Sequence, residues 1–413
     1  MNRPLWGWLT AEAVSLMGTR ISLIAIPWFV LAKTNSPMLT GLVALAETLP
    51  LLLLKVLAGP AIDRIGSRVI AILCDIGSAL TVGLVPLLHV IGVLPLWLLL
   101  VIVALAGILR GPGDAAKRAL IPVLARHSGT PMERVTGLHS TVERSASFLG
   151  AALGGGLVAL VGAANALVID AASFGLSAIA LAWGTAGMMR SRSQSNDERH
   201  GYFRRLREGW HFLRRDRVLL AVTLMIASTN LLDAAYTTVL MPVWADRSGN
   251  GPAALGIAFA TFTGTAILGS VSASAAADRL SRYATYLAAF LIAGLPRFMV
   301  FGLDTPSWLH LSVLGCSGFA AGFINPVLGA VIFERIPEDL TGRVSALTSA
   351  ISFALIPFGG ILGGVLINWF GFATAMIGCG VAYLVVTLLP AAGTSLRQLD
   401  DRHTSETRQQ VRS

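Results

Sequence analysis

Charged residues are scarce in this sequence, making up 13% of its 413 residues, where a soluble domain carries about a quarter. A water-exposed globular surface cannot be assembled from so few, which excludes an ordinary soluble enzyme or binding module. Cysteine is scarcer still: Cys74, Cys316 and Cys379 fall in apolar runs without metal or redox spacing, so they are expected to pack. No Gly-x-x-x-x-Gly-Lys-Ser/Thr string is present, which argues against an ATP-driven motor in this chain. The seven histidines are scattered, and no nucleophile and base constellation stands out. No catalytic residue, metal site or cofactor is expected.

What the chain has in abundance is apolar sequence, with 54% hydrophobic residues and a mean hydropathy of +0.72. A bilayer-spanning helix needs roughly 20 mainly apolar residues. Twelve stretches qualify, at about 6–31, 38–58, 69–91, 96–116, 139–162, 164–187, 218–243, 252–274, 284–303, 307–331, 345–367 and 371–393. The alternating ten-residue segments of an outer-membrane barrel are missing, so an all-α membrane protein is expected. The first run contains Arg20 and leads into further membrane sequence, unlike a removable signal.

The net charge of +9 would suit nucleic acid if the cations clustered on a soluble face, but they fall in alternate loops. With a cytoplasmic N-terminus, outer loops carry only Lys33 and Arg247, and the inner side carries Arg64, Arg68, Lys117, Arg118, Arg279, Arg282 and the central arginines. Such asymmetry places the positive side inside, with both termini cytoplasmic. Residues 189–217 form a basic linker in which Leu206, Trp210 and Leu213 recur at helical spacing, as in an amphipathic helix lying on anionic lipid. It divides an N-terminal six-span bundle, 1–188, from a C-terminal one, 218–394, and residues 395–413 form a cytoplasmic tail.

The bundles are a tandem repeat. Asp63 and Asp278, Pro27 and Pro242, Gly41 and Gly256, and Pro122 and Pro337 are each 215 positions apart. Six spans bring each half back to its starting side, so the repeat is parallel, and two such bundles around a midplane cavity can rock.

Gly59, Asp63, Arg64, Gly66 and Arg68 match the loop signature of the major facilitator superfamily, which the chain resembles over nearly its whole length. Further strings resemble its drug-exporter branch of macrolide and tetracycline efflux proteins and the enterobactin exporter. They are Gly18-Thr19-Arg20-Ile21-Ser22 with Pro27-Trp28, Leu120-Ile121-Pro122, Ile169-Asp170-Ala171-Ala172-Ser173-Phe174, Glu208-Gly209-Trp210 and Gly342-Arg343-Val344. The resemblance implies a secondary exporter of lipophilic or cationic drug-like molecules in the bacterial inner membrane. It would work as a monomer by alternating access and proton antiport; export of a siderophore-like metabolite and nutrient uptake are the alternatives. It also implies an inner-face latch in which Asp63 lies against Ser345 and pairs with Arg118, with Asp278 and Arg279 as the repeat's counterparts. Gly150, Gly154 and Gly155, and Gly359 and Gly363, would bring the fifth and eighth and the eleventh and second spans together.

Charge inside the bilayer is costly and usually faces a wet cavity or the protein interior. On the family's architecture, Arg20, Glu47 and Asp233, in the first, second and seventh spans, are the transport-path candidates, and Arg110 of the fourth reaches the cavity. Glu47 or Asp233 would exchange a proton for a cation, unless Arg20 neutralises one of them. Arg110, Asp114 and Arg118 are four residues apart and can pair along one helix face. Lys55, Asp75, Asp170, Arg297 and Glu334 are assigned to helix ends or peripheral spans, where snorkelling or interhelical pairing is expected rather than a part in transport. Trp28, Phe29, Tyr236, Trp244, Phe259, Phe262 and Phe319 are candidate cavity or rim aromatics.

Overall fold

A computed structural model describes residues 3–187, 199–276, 281–303, 305–336 and 340–392. Among the described residues the structure is helical, without strands. In hydrocarbon a backbone must satisfy its own hydrogen bonds, and helices do so within one segment.

The first six spans are α1 (Arg3–Thr34), α2 (Pro37–Leu57), α4 (Ser67–Val90), α5 (Leu96–Ala119) continued by α6 (Ile121–Ser128), α7 (Met132–Val161) and α8 (Ala163–Gly184), with the short α3 (Gly59–Ile65) between α2 and α4. The linker forms α9 (Arg199–Arg215). The second set is α10 (Arg217–Ala235), a π-helical turn (Tyr236–Leu240) and α11 (Met241–Arg247), then α12 (Gly251–Ala275), α13 (Arg282–Ala293) with α14 (Leu295–Gly302), α15 (Ser307–Arg335), α16 (Thr341–Ala354) with α17 (Ile356–Phe370), and α18 (Phe372–Ala392). Twelve segments among the described residues are long and apolar enough to cross a membrane, as the hydropathy predicts. Several start on a capping side chain: Ser36 Oγ accepts from the Leu39 amide at 3.3 Å, and Asp216 Oδ1 accepts from Val218 and Leu219 at 3.0 Å.

The charged loop differs from the expected tight turn. Residues 59–65 wind into α3, so Asp63 is an exposed residue inside a short helix and caps nothing. The sharp reversal falls on Gly66, whose φ of 99° is closed to most side chains.

Two compact units emerge. The first comprises residues 1–196, 237–260 and 360–365, and the second 197–236, 261–359 and 366–413. In the first, α1 packs on α7 and α8, α4 on α5 and α8, and α2 on α5. A core of Leu5, Trp8, Leu9, Leu120, Leu124 and Leu181 closes one end of it. In the second, α15 packs on α13, α14 on α18, and α10 on α16 and α18. Leu213 of α9 is buried with Leu219, Ile336 and Val344, which anchors the end of the linker helix to this unit rather than to lipid, whereas Trp210 of the same stripe is exposed.

Small residues set the helix seams. A Cβ on Gly107 would overlap the Glu47 carbonyl oxygen, and one on Gly111 the Leu51 carbonyl oxygen, so α5 meets α2 backbone to backbone. The second unit repeats the device, because Gly318 and Gly322 of α15 abut the Phe262 and Ala266 carbonyls of α12. Gly150 and Gly154 face Arg20 and Ile21 of α1, Gly155 meets Gly256 of α12, and Gly360 meets Gly41 of α2, all inside the first unit. Gly359 abuts Leu231 and Ala234 of α10 in the second, and Gly363 is buried.

Replacing Gly107 or Gly111 with Val is expected to destabilise the protein by about 1–3 kcal/mol through overpacking and to lower its yield in membranes. Gly156→Ala, at a position with open space around it, is expected to leave the thermal unfolding midpoint in detergent unchanged or slightly raised.

Candidate functional site

The backbone approach made by Gly107 and Gly111 brings α2 against the arginine lying between them on α5. Arg110 Nη1 donates to Glu47 Oε1 at 2.7 Å and Nη2 to Asp170 Oδ2 at 2.7 Å. Ser22 of α1 donates to the same Asp170 oxygen, and Ser173 lies a turn further along α8. Gly18 leaves room there, since a Cβ would strike both Ser173 and Asp170. The guanidinium also lies over the Phe174 ring, 4.9 Å from its centroid. The group is withdrawn from solvent: Arg110 is 4%, Glu47 8% and Asp170 0% exposed. Its formal count is two carboxylates to one cation.

A second polar layer repeats the first. Lys117 Nζ is 2.8 Å from Asp75 Oδ1 and donates to Ser15 Oγ at 2.9 Å and Ser177 Oγ at 3.3 Å, and Ser177 donates to Asp75 at 2.6 Å. Ser15 precedes Ser22 by seven residues, and Lys117 and Ser177 follow Arg110 and Asp170 by seven. Two helical turns, about 10 Å, therefore separate the layers on α1, α5 and α8 alike. Beside the second layer, Glu12 is buried with Oε1 3.9 Å from His139 Nδ1. Trp8 lies against that imidazole and donates to the Lys117 carbonyl at 3.1 Å.

These contacts revise several expectations. Arg110, Asp114 and Arg118 do not pair with one another: Asp114 goes to Lys55 at 3.2 Å and Arg118 to Glu143 at 3.4 Å, both near the surface. A buried guanidinium is better matched by two carboxylates from neighbouring helices than by one on its own helix. Glu47 is neutralised by Arg110 rather than by Arg20, which has no ion pair among the described residues and whose Nε is buried without a partner. Asp75, Asp170 and Arg297, expected to snorkel or to pair between helices, do the latter: all three are buried and paired with a residue of another helix.

In the charged loop, Asp63 and Arg64 are exposed and make no ion pair among the described residues, and Arg118 is taken by Glu143 rather than Asp63. Arg68 has a structural contact: Nε donates to Thr185 Oγ1 at 2.7 Å and Nη2 to the Ala182 carbonyl at 3.2 Å, at the end of α8. Asp278 and Arg279 lie outside the described residues.

In the second unit, Asp233 of α10 pairs with Arg297 of α14. The pair borders a cavity of about 390 Å³ lined also by Thr229, Asn230, Phe262, Phe290 and Tyr383, within the size range of small-molecule sites. Phe262 lines the cavity as the aromatic reading expected, whereas Tyr236 is buried beside Arg297 and does not line it. Phe29, by contrast, is buried edge-on against His89, and Phe319 lies tilted against Phe323. Sequence reasoning missed Asp170, Arg297, Glu12 and Lys117 as site residues. The signal for Arg297 was Gly294-Leu295-Pro296, which interrupts an apolar run just before it.

A family model described as a transmembrane secretion effector matches residues 3–411. The multidrug efflux pump Tap of Mycobacterium tuberculosis (strain ATCC 25618 / H37Rv) is 28% identical over 399 residues, covering 95% of this chain and 94% of that protein. Macrolide efflux protein A of Streptococcus pyogenes is 23% identical over 401 residues, covering 94% and 95%. Among solved structures, the nucleoside transporter NupG aligns with a TM-score of 0.77 at 12% identity over 94% of this chain and 98% of its own. A D-xylose-proton symporter aligns at 0.70 and 13% identity over 94% and 97%. Twelve spans in a parallel repeat, the matched loop signature and a family match across nearly the whole chain lead to one conclusion: the chain belongs to the transmembrane secretion effector family of the major facilitator superfamily, a family of multi-pass membrane transporters.

Proposed function

We propose that the protein is a secondary exporter of lipophilic or cationic drug-like molecules, driven by proton antiport and working as a monomer. The observation that carries the reading is the Glu47–Arg110–Asp170 triad, which holds one carboxylate more than its cation can neutralise, away from solvent in the membrane interior. Such an excess is costly unless a proton is shared, and a group that must take up and release a proton as its surroundings change can couple proton entry to a conformational step. Relatives named for multidrug and macrolide efflux support export and the substrate class. The basic residues of alternate loops support cytoplasmic termini. Two six-span bundles divided at residues 189–217 would open in turn to either side, with the Asp63 loop controlling the inner face.

In proteoliposomes with an imposed pH gradient, the wild-type protein is expected to drive uphill movement of a cationic dye, a macrolide or a tetracycline. Glu47→Gln and Asp170→Asn are each expected to abolish the gradient dependence, by tenfold or more in initial rate, while downhill exchange of dye persists. Wild-type flux indifferent to the gradient, or both variants remaining fully proton-driven, would refute the coupling. Asp63→Asn is expected to slow transport several-fold at unchanged abundance in the membrane; unchanged transport would remove the loop from the mechanism.

A further inference from the structure

Arg297 sits inside an aromatic enclosure. The ring centroids of Tyr236, Phe262, Phe298 and Tyr383 lie 5.2, 5.5, 5.0 and 5.1 Å from its guanidinium carbon, and the Asp233 carboxylate closes one end. Ring faces bearing negative quadrupole density beside a carboxylate are the constellation that recognises an organic cation. Here a residue of the chain itself fills it.

The enclosure opens onto the cavity of about 390 Å³, and the two charges are unequally presented to it. The Asp233 side chain is 37% exposed and that of Arg297 7%. A molecule entering the cavity therefore meets the carboxylate first. Two irregularities of the backbone flank the pair. The π-helical turn Tyr236–Leu240 begins three residues after Asp233, and such turns concentrate at functional sites. The break between α13 and α14 at Gly294 lies three residues before Arg297, so the guanidinium is carried by a junction rather than by a continuous helix. Arg297 Nε and the Tyr236 hydroxyl are buried without hydrogen-bond partners. Those unmade bonds raise the energy of the self-occupied arrangement.

We propose that the Asp233–Arg297 cavity binds planar, delocalised organic cations, and that Arg297 is their built-in competitor. An incoming amidinium, guanidinium or cationic heteroaromatic takes the carboxylate and the ring faces as the arginine withdraws. The proposal rests on the exporter reading and narrows its substrate class. Planarity follows from the resident group, a flat guanidinium flanked by four rings. An anionic molecule meets Asp233 and is repelled, and a neutral one gains ring contacts without the carboxylate. The competitor also limits how tightly cargo is held, which a carrier that must release it requires.

The test is equilibrium binding of ethidium, and of a neutral planar aromatic of similar size, to the purified full-length protein in detergent, read by fluorescence. Arg297→Met is expected to tighten ethidium binding at least tenfold by removing the competitor, and Asp233→Asn to weaken it at least tenfold. Both should leave the neutral compound within about twofold of wild type. Ethidium bound no more tightly by folded Arg297→Met than by wild type overturns the proposal. If Arg297→Met does not fold, Phe262→Ala decides: about fivefold weaker binding supports the enclosure, and unchanged affinity overturns it. The assay needs neither gradient nor flux, so absence of export refutes the exporter reading, while absence of competition refutes only the assignment of this site.

Discussion

A guanidinium within the hydrocarbon region is costly unless anions match it, and Arg110 is the clearest instance of such a match in this protein. Its fork takes one carboxylate from α2 and another from α8, so a single side chain fixes three helices against one another. The match requires helix backbones close enough for short carboxylate side chains to reach. Gly107, Gly111 and Gly18 provide that approach, so the seams and the ion pairs support each other. Removing Arg110 would leave both carboxylates uncompensated, and breaking a buried pair in this way typically costs about 3–5 kcal/mol.

The two compact units put one helical scaffold to different uses. In the first, seven-residue spacing on α1, α5 and α8 stacks two polar layers, one centred on Arg110 and the other on Lys117. In the second, the buried cation is bounded mainly by rings, and its spans are interrupted at Tyr236–Leu240 and Gly294. Continuous helices with interlocked polar layers make a stiff body. Interrupted helices concentrate their bending where Asp233 and Arg297 meet, beside a cavity large enough for a small ligand.

The spans, the repeat and the family were legible because each depends on sums over many residues: apolar length, loop charge and fixed offsets. The buried pairs were not, because each depends on which helix faces which. Arg110, Asp114 and Arg118 invited helix-internal pairing by their spacing, yet Arg110 turns inward to Glu47 and Asp170, leaving Asp114 to Lys55 and Arg118 to Glu143. Asp170 and Arg297 were set aside because their spans were taken as peripheral, although a peripheral helix still turns one face into its bundle. Glu12 and Lys117 carried no motif, and only the fold brings them beside His139 and Asp75. Glu47 and Asp233 stand out in the sequence as charges within apolar spans, but their partners could not be chosen without the helix neighbours.

The contact made by Arg68 has a mechanical consequence. By gripping the Ala182 carbonyl and the Thr185 hydroxyl, the loop's arginine fastens the start of α4 to the last turn of the sixth span, where the chain leaves for the linker. A pull on either helix end would therefore be shared by the other, so the loop works as a clamp between two spans and not merely as a turn.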